Sequence, residues 1–168
     1  MTIEYSISQC SLGQLLVARS AQGICAIALG DTAEPLVADL QDKHKSVRPV
    51  VPDAEFAQQL QQLLDLIERP RQAKFTAPLA ITGTEFQRKV WQALQTIPAG
   101  QTLSYTHLAE RIGAPASVRA VANACGANPL AVVIPCHRVL RSDGDLSGYR
   151  WGVARKRELL KREGVVAT

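Results

Sequence analysis

Two short apolar patterns with helical spacing follow each other in the second half of the chain. Apolar residues at offsets 0, 3, 4 and 7 fall on one face of an α-helix, and Gly113 and Pro115 between the patterns end helices. We therefore predict two short helices joined by a tight turn, a pattern shared by the helix-turn-helix and by other helical hairpins. The residues predicted to be buried are Tyr105, Leu108, Ala109 and Ile112 in the first helix and Val118, Val121, Ala122 and Cys125 in the second.

The opposite face of the second helix carries one long basic side chain among small residues. Arg119, Ala120, Asn123 and Ala127 fall there, so a polymer backbone or groove could approach this helix closely. A solvent-exposed face rich in alanine has the same composition, and the pattern alone does not separate the two interpretations.

Capping signals mark the starts of two helices in this half. Thr84 and Gln87 have the spacing of a capping box, in which each residue bonds the backbone N–H of the other. Ser104 can cap the first helix of the predicted pair. The buried side of the helix that follows Thr84 is predicted to consist of Phe86, Val90, Ala93, Leu94 and Ile97.

The first half alternates short apolar runs with turn residues. Residues 3–7, 15–18 and 24–29 are predicted strands of an antiparallel meander, and two helices are predicted at residues 35–42 and 56–67. Later apolar runs at residues 79–81 and 130–134 are also predicted to be strands.

Charge divides the chain in the same way as the predicted elements. Residues 1–82 carry 7 Lys+Arg and 9 Asp+Glu, a balance of −2, whereas residues 83–168 carry 12 and 6, a balance of +6. We predict two domains with these bounds. The basic second half suits a polyanionic partner, although a solvated basic face would look the same.

Cysteine spacing and hydropathy exclude several classes of protein. The four cysteines include no C-x-x-C pair and the three histidines complete no zinc pattern, so we expect no metal. No apolar run approaches the roughly 20 residues of a membrane span, and the first residues do not resemble a secretory signal. The expected location is the cytoplasm, or the nucleus if the source is eukaryotic, and disulfides are rare in both.

Cys136 follows the buried run at residues 130–134 and stands between Pro135 and His137. Proline cannot donate to a strand ladder, so the chain is expected to leave the sheet there and to present the thiol to a cleft. Basic neighbours favour the thiolate, which is the nucleophilic form. A buried cysteine without chemistry is the common alternative.

Glu163 belongs to a final basic helix predicted at residues 153–164. It can share a face with Leu159 and Leu160, which would place a carboxylate on the buried side, where it needs a partner such as a histidine. The alternative is an exposed glutamate near the end of a helix.

The segment Pro135-Cys136-His137-Arg138-Val139 resembles the active-site signature of the O6-alkylguanine-DNA alkyltransferases, also called methylated-DNA–protein-cysteine methyltransferases. The resemblance covers residues 83–164, and it implies an α/β N-terminal domain of ribonuclease-H-like type followed by a mainly helical C-terminal domain with winged-helix character. The first half resembles part of the alkyltransferase half of the bacterial protein Ada. The zinc-binding half of Ada has no counterpart in this sequence, so transfer from phosphotriesters is not expected.

The resemblance assigns roles to matching residues. Cys136 would accept the alkyl group, His137 would deprotonate it through a water, and Glu163 would orient the imidazole. Asn128 would brace the hinge before the active-site segment, and Tyr105 would protonate the departing guanine. The residues expected to contact DNA or a flipped base are Arg119 as an intercalating finger, Tyr149, Ser147, Ser104, Asn123 and Arg138.

The implied reaction agrees with the chemistry of these side chains. A thiolate is a strong, soft nucleophile for displacement at an alkyl carbon, and proton transfer to the leaving base is worth about 10²–10⁴-fold in rate. An atom inside the duplex is reached only by flipping the nucleotide. We therefore expect one turnover on double-stranded DNA carrying O6-alkylguanine or O4-alkylthymine, by a monomer without a cofactor.

Two other functions remain at this point. Alkyltransferase-like proteins bind lesions without chemistry, but they carry Trp where this chain has Cys136. A thiol hydrolase would need an oxyanion hole and a nucleophile elbow, for which the sequence shows no glycine-rich pattern. Within the alkyltransferase interpretation, Trp151 is expected to restrict bulky adducts, with ordinary core packing as the alternative.

Overall fold

The computed structural model describes residues 2–165. The first half begins with an antiparallel meander of three strands, β1 (Ile3–Cys10), β2 (Gly13–Ser20) and β3 (Gly23–Gly30). A short strand, β4 (Val47–Pro49), pairs in parallel with β1, so the sheet order is β3-β2-β1-β4. The predicted meander is thus confirmed.

The turn between β1 and β2 requires glycine at position 13. Gly13 has a φ of 116°, and a Cβ built there would lie 2.5 Å from the carbonyl oxygen of Gly30. Left-handed backbone and close approach to a carbonyl both exclude a larger residue.

Two helices cover the two faces of this sheet, α1 (Ala33–Lys43) and α2 (Ala54–Glu68). Alternate residues of a strand point to opposite faces. Leu16 and Ala18 of β2 pack with α1, and Leu15 and Val17 join the larger core that contains the buried side of α2. Both predicted helices are confirmed.

The second half is mainly helical. Its elements are α3 (Glu85–Leu94), β5 (Leu103–Ser104), α4 (Tyr105–Arg111), α5 (Val118–Gly126), one turn of 3₁₀ helix (Cys136–Arg138), β6 (Val139–Leu140) and α6 (Val153–Arg162). α4 and α5 form the predicted helix-turn-helix. The capping box is present, with Thr84 Oγ1 accepting from the Gln87 N–H and Gln87 Oε1 accepting from the Thr84 N–H, both at 3.0 Å.

Two strand predictions were wrong. Residues 79–81 form only one bridge, between Leu79 and Ile24, and residues 130–134 form a buried turn in which Val132 has a φ of 70°. The apolar run at 130–134 correctly indicated burial, because four of its five residues are under 5% exposed. Apolar content alone does not distinguish a buried strand from a buried turn.

The buried face of α5 also differs slightly from the predicted one. Ala124 is buried with Val121 and Cys125, whereas Ala122 is half-buried. This small rotation leaves Ala122 on the surface that also carries Arg119 and Asn123.

One continuous core joins the two halves. It includes residues of β2, β3 and α2 together with Val90, Trp91 and Leu94 of α3 and much of the helix-turn-helix. Arg155 of α6 reaches across the junction, where Nε donates to the Leu12 carbonyl at 2.7 Å and a terminal nitrogen pairs with Asp31. The division between residues 82 and 83 stays a prediction. Among the helices of residues 2–165, none combines the length and the apolar character needed to cross a membrane.

Trp91→Phe should destabilise the fold by about 1–3 kcal/mol, because it removes one of the two donors to the buried Ala124 carbonyl, the other being the Ala127 N–H, and also removes aromatic volume. Trp91 is 2% exposed and its Nε1 donates to the Ala124 carbonyl at 2.8 Å. Urea unfolding measures the change. Val51→Ala is the control, because Val51 is 92% exposed and should change stability by under about 0.5 kcal/mol. Equal effects of the two substitutions would contradict the assignment.

Candidate active site

A cleft of about 1090 Å³ opens between α5, the start of α4 and the loop at residues 141–150. Cys136 is part of its lining, together with Tyr105, Arg119, Asn123 and Tyr149. The fold therefore brings most of the residues predicted for the site to one surface.

The carboxamide of Asn128 positions the Cys136 thiol. Its Nδ2 lies 3.3 Å from Sγ of Cys136 and donates to the Ile134 carbonyl at 2.8 Å, while its Oδ1 accepts from the Leu130 N–H at 2.9 Å. Asn128 is fully buried and Cys136 is 4% exposed. The turn that carries the thiol is thus bonded at both ends to one side chain.

Burial opposes ionisation of the Cys136 thiol, whereas several polar and charged groups around it favour ionisation. Burial raises the pKa of the thiol, and the N–H of Asn128 and the positive charges of Lys156 and Arg150 act in the opposite direction. Burial prevails, so the ground state at neutral pH is the thiol. A nucleophilic reaction at Cys136 therefore needs a base.

His137, Glu163 and Arg138 form a buried hydrogen-bonded network. Nε2 of His137 lies 2.7 Å from Oε2 of Glu163. Arg138 donates to both oxygens of that carboxylate at 2.9 Å, and its remaining terminal nitrogen donates to the Ile97 carbonyl. The alternative of an exposed Glu163 is wrong, since the residue is 1% exposed.

This network fixes the state of the imidazole. Burial lowers the pKa of His137 in spite of Glu163, so the ring is neutral at pH 7. Burial also opposes ionisation of Glu163, but hydrogen bonds from His137 and Arg138 outweigh it and lower its pKa to about 2. The carboxylate therefore accepts the proton of Nε2, which leaves Nδ1 as a base; among residues 2–165, no group bonds Nδ1.

Arg138 was predicted to contact DNA, but the structure places its guanidinium against Glu163 and the Ile97 carbonyl. Its guanidinium is committed to Glu163 and to the Ile97 carbonyl, and its side chain is 11% exposed. A buried carboxylate needs a fixed cation, and Arg138 provides the bidentate pairing that a carboxylate accepts.

Two tyrosines and a serine line the cleft around the thiol. Burial, together with the nearby Cys125 and Cys136, raises the pKa of Tyr105 to about 12, so its hydroxyl is a proton donor at pH 7. Tyr149 is half-buried and stands edge-on to His137, with ring centroids 6.4 Å apart. Ser147 lies in the loop with a φ of 61°.

The DNA-contact predictions separate into two groups. Arg119 and Asn123 are exposed on α5 and line the cleft. Ser104 caps α4 by accepting from the His107 N–H at 3.0 Å, and in the described part of the chain it is outside the cleft lining.

Trp151 packs behind the cleft wall. It is 7% exposed, belongs to the core and stands edge-on to Tyr149, with ring centroids 5.3 Å apart. Within residues 2–165, the cleft lining includes Tyr149 and Arg150 but not Trp151. Any effect of Trp151 on adduct size must therefore act through a residue of the lining that it contacts, namely Tyr149 or Arg150.

Lys156 is a buried residue of the site that the sequence reasoning missed. It is fully buried, and its Nζ donates to the carbonyls of Val139 at 2.7 Å, Leu146 at 2.5 Å and Gly148 at 3.4 Å. It thus ties the loop that walls the cleft to the strand after Cys136. A signal was available, because positions 156, 159, 160 and 163 have the offsets 0, 3, 4 and 7 of one helix face.

Glu163→Gln should slow alkylation of the Cys136 thiol at neutral pH by about tenfold, the kinetic equivalent of a lost hydrogen bond to a charged group. The substitution removes the charge that stabilises the transient imidazolium, and Arg138 then opposes that cation unbalanced. Iodoacetamide labelling of Cys136 against pH, mapped by peptide mass spectrometry, measures the change in rate. Glu158→Gln, on an exposed part of the same helix, is the control; a profile for Glu163→Gln like that of the control would contradict the role.

Both halves of the chain match models of one protein family. Residues 3–80 match the ribonuclease-like domain of 6-O-methylguanine DNA methyltransferase, and residues 85–165 match the DNA-binding domain of the same family. The chain is 50% identical over 163 residues to the bifunctional transcriptional activator/DNA repair enzyme Ada of Escherichia coli (strain K12), covering 97% of this chain and 46% of Ada. It is 54% identical over 90 residues to a methylated-DNA–protein-cysteine methyltransferase of Mycolicibacterium paratuberculosis, covering 54% of each. The chain thus spans about half the length of these curated relatives.

Solved structures of similar proteins share the whole fold. The chain superposes on Mycobacterium tuberculosis OGT in complex with DNA with a TM-score of 0.80 and 34% identity, covering 95% of this chain and 92% of that one. The predicted order of an α/β domain and a helical DNA-binding domain is confirmed by the family models and by this superposition. The chain belongs to the 6-O-methylguanine DNA methyltransferase family.

Proposed function

We propose that this protein repairs DNA by transferring an alkyl group from O6 of guanine, and from O4 of thymine, to its own Cys136. The observation that carries the proposal is a buried thiol that lines a cleft large enough for a base and adjoins a neutral His137 held by Glu163. Ligand pockets typically enclose about 300–1,000 Å³, so the cleft can hold a flipped nucleotide.

The proton of the Cys136 thiol passes through a water to Nδ1 of His137. Nε2–H stays bonded to Glu163, and the imidazolium that forms is stabilised by that carboxylate at 2.7 Å. The sulfur then carries the negative charge, which the N–H of Asn128 and the charges of Lys156 and Arg150 favour. The thiolate of Cys136 therefore forms only transiently, after its proton has moved to His137.

Transfer forms an S–C bond and breaks the C–O6 bond of the lesion. The electron pair of the broken bond remains on guanine, which would leave as an anion. Tyr105 is protonated at pH 7 and lines the same cleft, so it can supply a proton as the charge develops. The products are a neutral base in the DNA and a thioether at Cys136. Thioethers are stable, so each chain acts once.

α5 is the surface that opens the duplex. Arg119 is long, exposed and next to the cleft, so it can occupy the stack that the flipped nucleotide leaves, while Asn123 lies beside it. The balance of +6 on residues 83–168 attracts the phosphates. The related M. tuberculosis protein has been solved in complex with DNA, which supports DNA as the partner. We further propose that the chain acts as a monomer and in the cytoplasm, where bacterial DNA lies.

Incubation with a duplex that contains one O6-methylguanine should add one methyl group to each chain, on Cys136. Intact mass gives the stoichiometry and peptide mapping gives the position. Cys136→Ser should abolish transfer, and Cys125→Ser, the matched thiol in the same cleft, should retain it. An unchanged mass would indicate a lesion-binding protein or a hydrolase, and a methyl group on Cys10, Cys25 or Cys125 would equally refute the proposal.

Arg119→Ala should slow transfer from duplex DNA by at least about tenfold and should leave the reaction with free O6-benzylguanine within about twofold, because a free base needs no flipping. Rates with both substrates, at saturating DNA, provide the comparison. Arg111→Ala is the control, since Arg111 is exposed on α4 and, among residues 2–165, is outside the cleft lining. Equal losses on the two substrates would show that Arg119 acts structurally or by general attraction.

A further inference from the structure

Arg150 connects the first half of the chain to the segment that carries the catalytic thiol. We propose that the Asp39–Arg150 ion pair is a clamp through which the sheet-containing half positions Cys136, by way of Asn128. The inference rests on the proposed function in one respect only, namely that Cys136 is the reactive thiol.

Four contacts hold the guanidinium of Arg150. One terminal nitrogen donates to the Asn128 carbonyl at 2.7 Å and more weakly to the Ala127 carbonyl at 3.5 Å. The other donates to Asp39 Oδ2 at 3.0 Å, and the group lies 5.3 Å from the ring centroid of Trp151. Asp39 belongs to α1 and Asn128 follows α5. The side chain therefore bridges elements that are far apart in sequence.

The bonded carbonyl belongs to the residue whose side chain fixes the thiol. Asn128 bonds Sγ of Cys136 and the Ile134 carbonyl through Nδ2. The guanidinium holds its backbone and the carboxamide holds the turn at residues 134–136. A displacement of Asn128 would thus reach Cys136 through a single side chain.

β3 holds the same segment from its other side. The Ile27 N–H donates to the Pro129 carbonyl and the Ala131 N–H donates to the Ile27 carbonyl, both at 3.0 Å. The first half therefore bonds the backbone at 129–131 directly and the carbonyl of Asn128 through Arg150. Through these contacts the ribonuclease-like half helps to fix the backbone position of the segment that holds the thiol.

Asp39 has a specific task in this clamp. Arg150 also lines the cleft, where the phosphates of bound DNA would attract its guanidinium. The carboxylate of Asp39 keeps that guanidinium on the Asn128 carbonyl. The side chain of Arg150 is 21% exposed and that of Asp39 is 52% exposed. Because an ion pair this exposed adds little to the free energy of folding, its effect is to orient the guanidinium.

Asp39→Asn changes the pKa of Cys136 in two ways, through the lost charge and through the lost positioning of Asn128, and the two shifts have opposite signs. Removal of a negative charge would, by charge alone, favour the thiolate and lower the pKa of Cys136. Loss of the clamp weakens the Asn128 bond to Sγ and raises that pKa. The groups electrostatically coupled to the thiol are Tyr105 on α4, Cys125 on α5, Tyr149 and Arg150 in the loop and Lys156 on α6, and Asp39 is not one of them in the described structure.

The experiment compares Asp39→Asn with Asp31→Asn in the full chain. Asp31 also forms an ion pair across the junction, with Arg155 at 2.7 Å, but the partners of Arg155 are the Leu12 and Trp151 carbonyls rather than Asn128. For each variant, iodoacetamide labelling of Cys136 is followed against pH, and methyl transfer is timed with saturating O6-methylguanine duplex. Thermal unfolding checks that the folds are equal.

Asp39→Asn should shift the labelling profile to higher pH and slow transfer by about two- to fivefold, and Asp31→Asn should change neither. Arg150→Met should slow transfer by about tenfold. Arg150→Lys, which keeps the charge but not the planar fork, should remain slower than the wild type.

A labelling profile of Asp39→Asn that is unchanged or shifted to lower pH would overturn the clamp, as would full activity of Arg150→Lys. Failure of the proposed function is a separate outcome. It appears as a wild-type chain that does not accept the methyl group, and the labelling profiles then still test the clamp.

Discussion

Three hydrogen bonds of the buried Asn128 carboxamide determine where the thiol lies. The amide nitrogen bonds Ile134 and Cys136, and the oxygen bonds Leu130, so one side chain spans a turn of nine residues. Buried polar groups that lose a partner cost about 1–3 kcal/mol each, so any displacement of this turn that breaks these bonds is unfavourable. The Cys136 thiol thereby gains a fixed position although it lies outside any long helix or strand.

Burial of the site sets its chemistry. A low-dielectric environment keeps Cys136 protonated and His137 neutral. Under the proposed function, both conditions protect the thiol from other reactions until a lesion is bound. The only buried carboxylate near them in the described structure, Glu163, is neutralised by Arg138. Lys156 instead donates to three carbonyls, and its positive charge favours negative charge on sulfur.

The two halves depend on each other through the same residues. α6 contributes Lys156 to the wall of the cleft and also sends Arg155 to the first half. β3 bonds the backbone on both sides of residue 130. A chain in which the helix-turn-helix binds DNA would therefore keep its thiol in place only with the sheet packed against it.

Local pattern in the sequence determined the helices, the meander and the capping box, and it picked out most of the residues that the fold brings together at the candidate site. Spacing of apolar residues reports which face is buried, and caps depend on neighbours within three residues, so both are readable from the chain. The motif around Cys136 likewise pointed to the nucleophile, and the position of Glu163 on an apolar stripe pointed to a buried carboxylate. Tertiary structure alone decided that residues 130–134 turn instead of extending, that Arg138 serves Glu163 rather than DNA, and that Lys156 and Arg150 join the site. The pairings of these three cationic side chains depend on partners 8 to 111 residues away, such as Asp39 for Arg150 and Gly148 for Lys156. No local pattern encodes which distant carbonyl or carboxylate a long cationic side chain will meet.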